Sequence, residues 1–139
     1  MENSYKIIQT DALSRGWTGI LLQRPSEESS KSQEEICRYC SGIFSKTQQN
    51  LPSTDLEILG VINSIDKFQL YLNKEFLIRI DCKNIVEHFN KAKNSKAASK
   101  RWIAFIDNIT GKWFYPKFEH ITEKYDYLAD IFSKLIAQS

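Results

Sequence analysis

No stretch of the 139-residue chain approaches the roughly 18 consecutive apolar residues that a membrane-spanning helix requires. The opening residues, MENSYKIIQTD, hold no cationic flank followed by a long apolar run, so neither a signal peptide nor a membrane partner is expected. Cysteine is scarce and odd in number, at Cys37, Cys40 and Cys82, and a chain this long does not need disulfide staples. The CRYC stretch looks like half a zinc site. No second Cys or His pair follows at zinc spacing, however, and residues three apart on a strand point to opposite faces. Ordinary half-buried cysteines in a reducing compartment are expected, without disulfides. A glycine-rich phosphate loop, a Rossmann turn and a nucleophilic Ser or Cys beside a base are all missing, and so is any internal repeat.

What is present suits one folded domain, residues 1–139. Hydrophobic residues make up 42% and charged residues 26%, enough for one core and inconsistent with global disorder. The net charge is only +2, but the bases are unevenly placed. Between Lys74 and Lys117 stand Lys74, Arg79, Lys83, Lys91, Lys93, Lys96, Lys100, Arg101, Lys112 and Lys117, against Glu75, Asp81, Glu87 and Asp107. A basic segment beside isolated carboxylates suits a polyanionic substrate, and it equally suits a solvated lysine-rich surface.

Hydrophobic patterning predicts strands at Tyr5–Ala12, Trp17–Gln23 and Glu34–Phe44. A polar loop over about residues 24–33, with nothing to bury, is expected to be mobile. The SKTQQNLPS stretch reads as a break. A helix follows, with Leu56, Leu59, Ile62, Ile65, Phe68 and Leu72 as its apolar line, widened by Ile58 and Val61. A fourth strand at Glu75–Asp81, a short helix in CKNIVEHFNKA, another in RWIAFIDNI, a fifth strand at Lys112–Ile121 and a final amphipathic helix complete the pattern. Pro116 marks the fifth strand as an edge or a bulge. The order implies an α/β fold: a mixed five-stranded sheet, three antiparallel strands and then alternating helices and strands, with helices packed on it.

Four acids stand beside apolar runs in four elements: Asp11, Glu57, Asp81 and Asp130. Each has a plain structural explanation. Thr54 and Glu57 fit a capping box, Asp81 can cap the helix after it, Asp130 can pair with Lys134, and Asp11 can serve a turn. Taken together they admit another reading. Two strand ends and two helices can converge on one edge of a sheet, and converging carboxylates repel unless a divalent cation separates them. Hard oxygen donors suit Mg2+ or Mn2+, and two such ions roughly 4 Å apart can activate water and stabilise the leaving oxygen of a phosphodiester.

The segments TDAL…GWTGILLQ, CRYCSGIFSKTQ, TDLEILGVINSIDKFQLYL, FLIRIDCKNI, KRWIAFI and FEHITEKYDYLADIFSKL occur in this order. As a set they resemble the ribonuclease H domain that follows the reverse transcriptase of gypsy-type retroelements and plant pararetroviruses, the caulimovirus and badnavirus group that includes tungro bacilliform viruses. The likeness runs from about Tyr5 to Leu135. It implies a ribonuclease H-like fold and an endoribonuclease that cuts the RNA strand of RNA/DNA hybrids, using two Mg2+ ions with Mn2+ as a substitute. The acid of the family's TDAS-like strand corresponds to Asp11, and the glutamate of its ELLA-like helix to Glu57. The RTD-like strand supplies Asp81, the ADxLSR-like helix Asp130, and the loop histidine His120. Asp55 falls on another side of the helix and is not part of the set. Lys96, Lys100 and Arg101 are the candidates for gripping nucleic-acid backbone.

The resemblance further implies a reverse transcriptase polymerase domain in the parent polyprotein as partner, and the host cytoplasm or virus particle as location. This chain departs from the family in having EHITEKYD, with Glu123 and Asp126, where Gly and Asn are usual, and Leu13 after TDA. The first departure bears on His120 more than on the acids. The rival readings are a catalytically degenerate domain of the same fold that only binds nucleic acid or a polymerase partner, and an integrase-like or resolvase-like core acting on DNA.

Overall fold

The computed structural model of the chain describes residues 4–83, 85–87, 107, 111 and 114–121. The expected RWIAFIDNI and C-terminal helices lie largely or wholly outside those residues. So do Asp130, Lys96, Lys100 and Arg101.

Five strands form one mixed sheet. They are β1 (Tyr5–Ala12), β2 (Gly16–Arg24), β3 (Glu35–Ile43), β4 (Leu77–Ile80) and β5 (Lys117–His120), in the order β3-β2-β1-β4-β5. The first three are antiparallel neighbours, while β4 runs parallel to both β1 and β5. The first two strands follow the predicted spans closely. The fifth, at Lys117–His120, is shorter than predicted; the Tyr115 and Lys117 amides bond to the Lys74 and Phe76 carbonyls, so the nitrogen of Pro116 between them faces away from β4, toward the open sheet edge that the proline implied.

Two helices precede β4: α1 (Lys46–Gln49) and α2 (Ser53–Phe68). The SKTQ segment, expected to break the chain, is a capped turn of helix. The Ser45 hydroxyl accepts from the Gln48 amide at 3.1 Å, and the Gln48 side chain accepts from the Ser45 amide at 2.9 Å. The box expected at Thr54 and Glu57 does not form. Pro52 occupies the N-cap position and its carbonyl accepts from the Leu56 amide, so the helix starts at Ser53. Glu57 is then the fifth helical residue, too far along to reach back to the cap.

The buried face of α2 is also rotated from the predicted one. Its inner line is Ile58, Val61, Ile65 and Phe68, spaced three and four apart, with Leu59 and Ile62 only partly buried. This line packs on Ile8, Leu21, Ile78 and Ile80 of the sheet. Gly19 of β2 permits the close approach: a Cβ there would collide with the Ser64 hydroxyl of α2. Along the β2–β3 pairing the register shifts between Leu21 and Leu22, and Cys37 is exposed at the resulting bulge. Cys40 is half-buried, and burial pushes its thiol up to about 11. Among the described residues, no helix is long and apolar enough to cross a membrane.

The other sheet face carries Ile7, Ile20, Leu22 and Leu77, and beside them a buried ionic cluster. Arg79 of β4 is fully buried and makes a bidentate pair with Glu34, both bonds 2.9 Å. The Glu34 side chain is itself buried and also accepts from Arg24 at 2.9 Å. Arg79 reaches Glu119 of β5 at 3.3 Å and Gln9 of β1 at 3.4 Å. Burial alone would raise the Glu34 pKa, but the Arg79 and Arg24 guanidiniums win and hold the carboxyl below its usual range.

Two expectations change as a result. The third strand starts at Glu35, and Glu34 instead ends the β2–β3 loop, preceded by a 3-10 turn at Lys31–Gln33. Glu34, the residue just after the expected 24–33 loop, buries its charge. The loop is tied down further by Arg24 bonding the Ser26 and Glu27 carbonyls and by ion pairs from Lys117 to Glu27 and Lys31 to Glu119. Arg79, one of the bases of the Lys74–Lys117 segment, faces no solvent and is unavailable to a polyanion.

Arg79→Met should lower unfolding stability by about 3–5 kcal/mol, because it strands a buried carboxylate. Urea denaturation of the two proteins at pH 7 measures this. The wild type should also lose stability as the pH falls below the ordinary carboxylate pKa. Glu34 titrates lower in the folded than in the unfolded chain, so the unfolded state takes up its proton first.

Candidate active site

Three of the sequence-predicted site residues meet where parallel strands end, and a fourth stands beside them. The β1–β4 register runs from Ile7 opposite Leu77 to Thr10 opposite Ile80. One residue further along each strand come Asp11 and Asp81. The β4–β5 register places His120 opposite Ile80. Chain topology alone therefore brings Asp11, Asp81 and His120 to one edge of the sheet, where β1 has an antiparallel neighbour on one side and a parallel one on the other. Crevices at such strand ends are the usual ligand sites of open α/β sheets.

Helix α2 supplies Glu57. Gly60, three residues along, lies against Trp17, Ala12 and the Asp11 carbonyl, at 3.5–4.0 Å from where its Cβ would be. The same helical face carries Glu57 one turn earlier, over the end of β1. Glu57 Oε2 is buried and has no hydrogen-bond partner. Burial first, then the charge of Asp11 and more weakly that of Asp81, push the Glu57 carboxyl up to about 8, against the opposing pull of the Ala12 amide. Asp11 is raised as well, chiefly by burial and secondarily by Asp81, with the Ala12 amide again opposing. That amide donates to Asp11 Oδ1 at 2.9 Å.

Asp81 is largely exposed, and its Oδ1 lies 3.3 Å from His120 Nε2. In the helical turn that follows, the Ile85 and Val86 amides bond to the Cys82 carbonyl at 3.1 and 3.2 Å, not to Asp81.

The donor set is all hard oxygen with one imidazole at its margin, which fits Mg2+ or Mn2+ better than zinc. An orphaned buried carboxylate oxygen, next to two further carboxylates whose charges raise its pKa, is what a divalent cation would satisfy. Among the described residues, no three acidic, His or Cys side chains close within metal-holding distance of a single point. The fit thus rests on the orphaned oxygen and the shared charge.

Sequence reasoning missed the ionic cluster behind the site. Its signal was the single charge in FLIRI. A guanidinium between two buried isoleucines needs a buried acid, and Glu34 is that acid.

The fold is that of the ribonuclease H group. LC11-RNase H1, solved in complex with an RNA/DNA hybrid, superposes with a TM-score of 0.65 at 14% identity, covering 91% of each chain. The family model for the RNase H-like domain found in reverse transcriptase matches residues 2–109, and the chain belongs to that family. Its relatives are viral polyproteins. Polyprotein P3 of Commelina yellow mottle virus is 36% identical over 137 residues, spanning 97% of this chain and 7% of that protein. The enzymatic polyprotein of cauliflower mosaic virus (strain D/H) is 36% identical over 132 residues, spanning 92% of this chain and 19% of that protein. The chain therefore matches a small part of each of these relatives.

Glu57→Gln should raise metal-free stability by about 2 kcal/mol at pH 8 and leave it nearly unchanged at pH 4. The sign follows from the raised pKa. The folded state holds the Glu57 proton up to about pH 8, while the unfolded chain releases it near 4.5, so stability drains away between those values as the pH rises. Thermal melts of both proteins across that range, with EDTA present, measure the difference.

Proposed function

We propose that this domain is an endoribonuclease that hydrolyses the RNA strand of RNA/DNA hybrids during viral or retroelement reverse transcription, leaving a 3′-hydroxyl and a 5′-phosphate. The observation that carries the reading is the buried, unpartnered Glu57 carboxylate oxygen, set beside Asp11 and Asp81 at the strand ends. Family membership and the hybrid bound by LC11-RNase H1 support the substrate class.

Asp11, Glu57, Asp81 and Asp130 would hold two Mg2+ ions, which when bound supply a nucleophilic water and neutralise charge on the phosphodiester. Asp11 and Glu57 form the more enclosed side of the set. Asp81 is largely exposed, on the more open side of the set. His120, 3.3 Å from Asp81 Oδ1, is placed to move a proton at the leaving oxygen or to ease product away. Lys96, Lys100 and Arg101 grip the backbone without reading sequence. The partners are the hybrid and the polymerase domain of a parent polyprotein, in the host cytoplasm or the virus particle.

A second reading has one observation in its favour: the three described acids do not close on a single point. On that reading the domain is degenerate and only binds nucleic acid or the polymerase.

Labelled hybrid incubated with and without Mg2+ separates the two. Cleavage of the RNA strand only with metal is expected, with duplex DNA resistant. Asp81→Asn should cost orders of magnitude in rate while the fold remains. Binding without cleavage at any Mg2+ or Mn2+ concentration would establish the degenerate reading. In Ca2+, changing Lys96, Lys100 and Arg101 together to Ala should weaken hybrid affinity. Its salt slope should flatten by roughly 0.7–0.9 for each phosphate that is no longer neutralised. A slope that does not move would return these bases to a solvated surface.

A further inference from the structure

The buried cluster around Arg79 lies outside the site, and its members stand in a particular relation to the site. Arg79 is two residues before Asp81 on β4, Gln9 is two residues before Asp11 on β1, and Glu119 is one residue before His120 on β5. Arg79 bonds to both Gln9 and Glu119, so one guanidinium cross-ties the three parallel strands just upstream of their three site residues. Its own orientation is fixed from outside the sheet by the bidentate pair with Glu34, which Arg24 holds in turn.

We infer that the Glu34–Arg79 pair is a positioning device for the metal-binding edge, Glu34 acting through Arg79 to set the relative advance and twist of β1, β4 and β5. The inference rests on the reading of that edge as a divalent-cation site. Three features of the cluster favour orientation over mere adhesion. A planar guanidinium engaged on every side has one rotamer available, whereas apolar packing at the same place would tolerate sliding. β4 has only four residues, so the ladder on each side of it is short, and Arg79 adds a side-chain tie to both of its neighbours. And Asp81 is largely exposed and His120 partly so, which leaves their side chains less constrained by packing among the described residues.

The test uses Glu34→Gln, which keeps shape and removes the charge that clamps Arg79. A second variant, Glu34→Leu with Arg79→Met, replaces the pair by apolar side chains and guards against loss of fold. Glu27→Gln, which breaks only the exposed pair with Lys117 on the same loop, is the control. Mg2+ alone is titrated into 15N-labelled protein while the Asp81 and His120 amide signals are followed. Hybrid cleavage is measured in parallel as kcat and KM.

Both pair variants should need about tenfold more Mg2+ to reach half-shift and should fall about tenfold or more in kcat with KM little changed, as loss of groups that orient metal ligands does elsewhere. The control should match wild type. A folded pair variant with wild-type Mg2+ midpoint would overturn the inference, even if it melts at a lower temperature, because that is the signature of a purely structural tie. If wild type binds Mg2+ at these amides but does not cut hybrid, the proposed activity fails while the amide titration still decides the positioning role.

Discussion

One buried ion pair, Arg79 with Glu34, organises this domain. A charged side chain at zero exposure in the middle of a four-residue strand is tolerable only because a carboxylate meets it at two points, and further partners fill its remaining donors. Glu34 lies at the end of the β2–β3 loop, far from β4 in sequence. The pair therefore recruits an otherwise polar surface loop into the architecture and ties it to the sheet face that also carries Ile7, Ile20, Leu22 and Leu77.

Two carboxylates of the molecule form a contrast. In the cluster, two guanidiniums hold Glu34 ionised despite its burial. At the strand ends, Glu57 is partly buried among like charges, and its proton is held accordingly. Burial has opposite outcomes because one acid faces fixed positive charge and the other faces negative charge. Among the described residues the guanidiniums of Arg24 and Arg79 serve Glu34, while the charges that act on Glu57 are those of Asp11 and Asp81.

Much of this is legible in the sequence, for identifiable reasons. Alternation and β-branched runs locate β1 and β2 closely, and Pro116 marks β5 as an edge. Asp11 and Asp81 are legible because each follows an apolar strand directly, so strand register alone makes them neighbours. The face of α2 is less legible. Its apolar residues cover more than half the circumference, and only the close approach at Gly19 and Gly60 decides which line turns inward. The start of α2 is ambiguous because a capping box at Thr54 competes with a proline at the N-cap, while the SxxQ box that does form, at Ser45, is hidden in a polar stretch. Glu34 is illegible for a deeper reason: nothing local distinguishes it from Glu27, Glu28 or Glu35, and its role is set by a guanidinium from another strand.

The parallel registers carry a consequence for how the domain comes into being. β1 pairs with a strand about seventy residues away in sequence, and β4 with one about forty residues further on. The antiparallel β1–β2–β3 meander can form from local hairpins, but the strand-end cluster cannot. Closing loops of that length costs entropy before any contact rewards it, and sheets dominated by such pairings fold slowly. A chain emerging from the ribosome therefore carries Asp11 and Glu57 long before it carries their partners. The acidic edge assembles late, when His120 has been made and the guanidinium of Arg79 has found both its loop and its neighbouring strands.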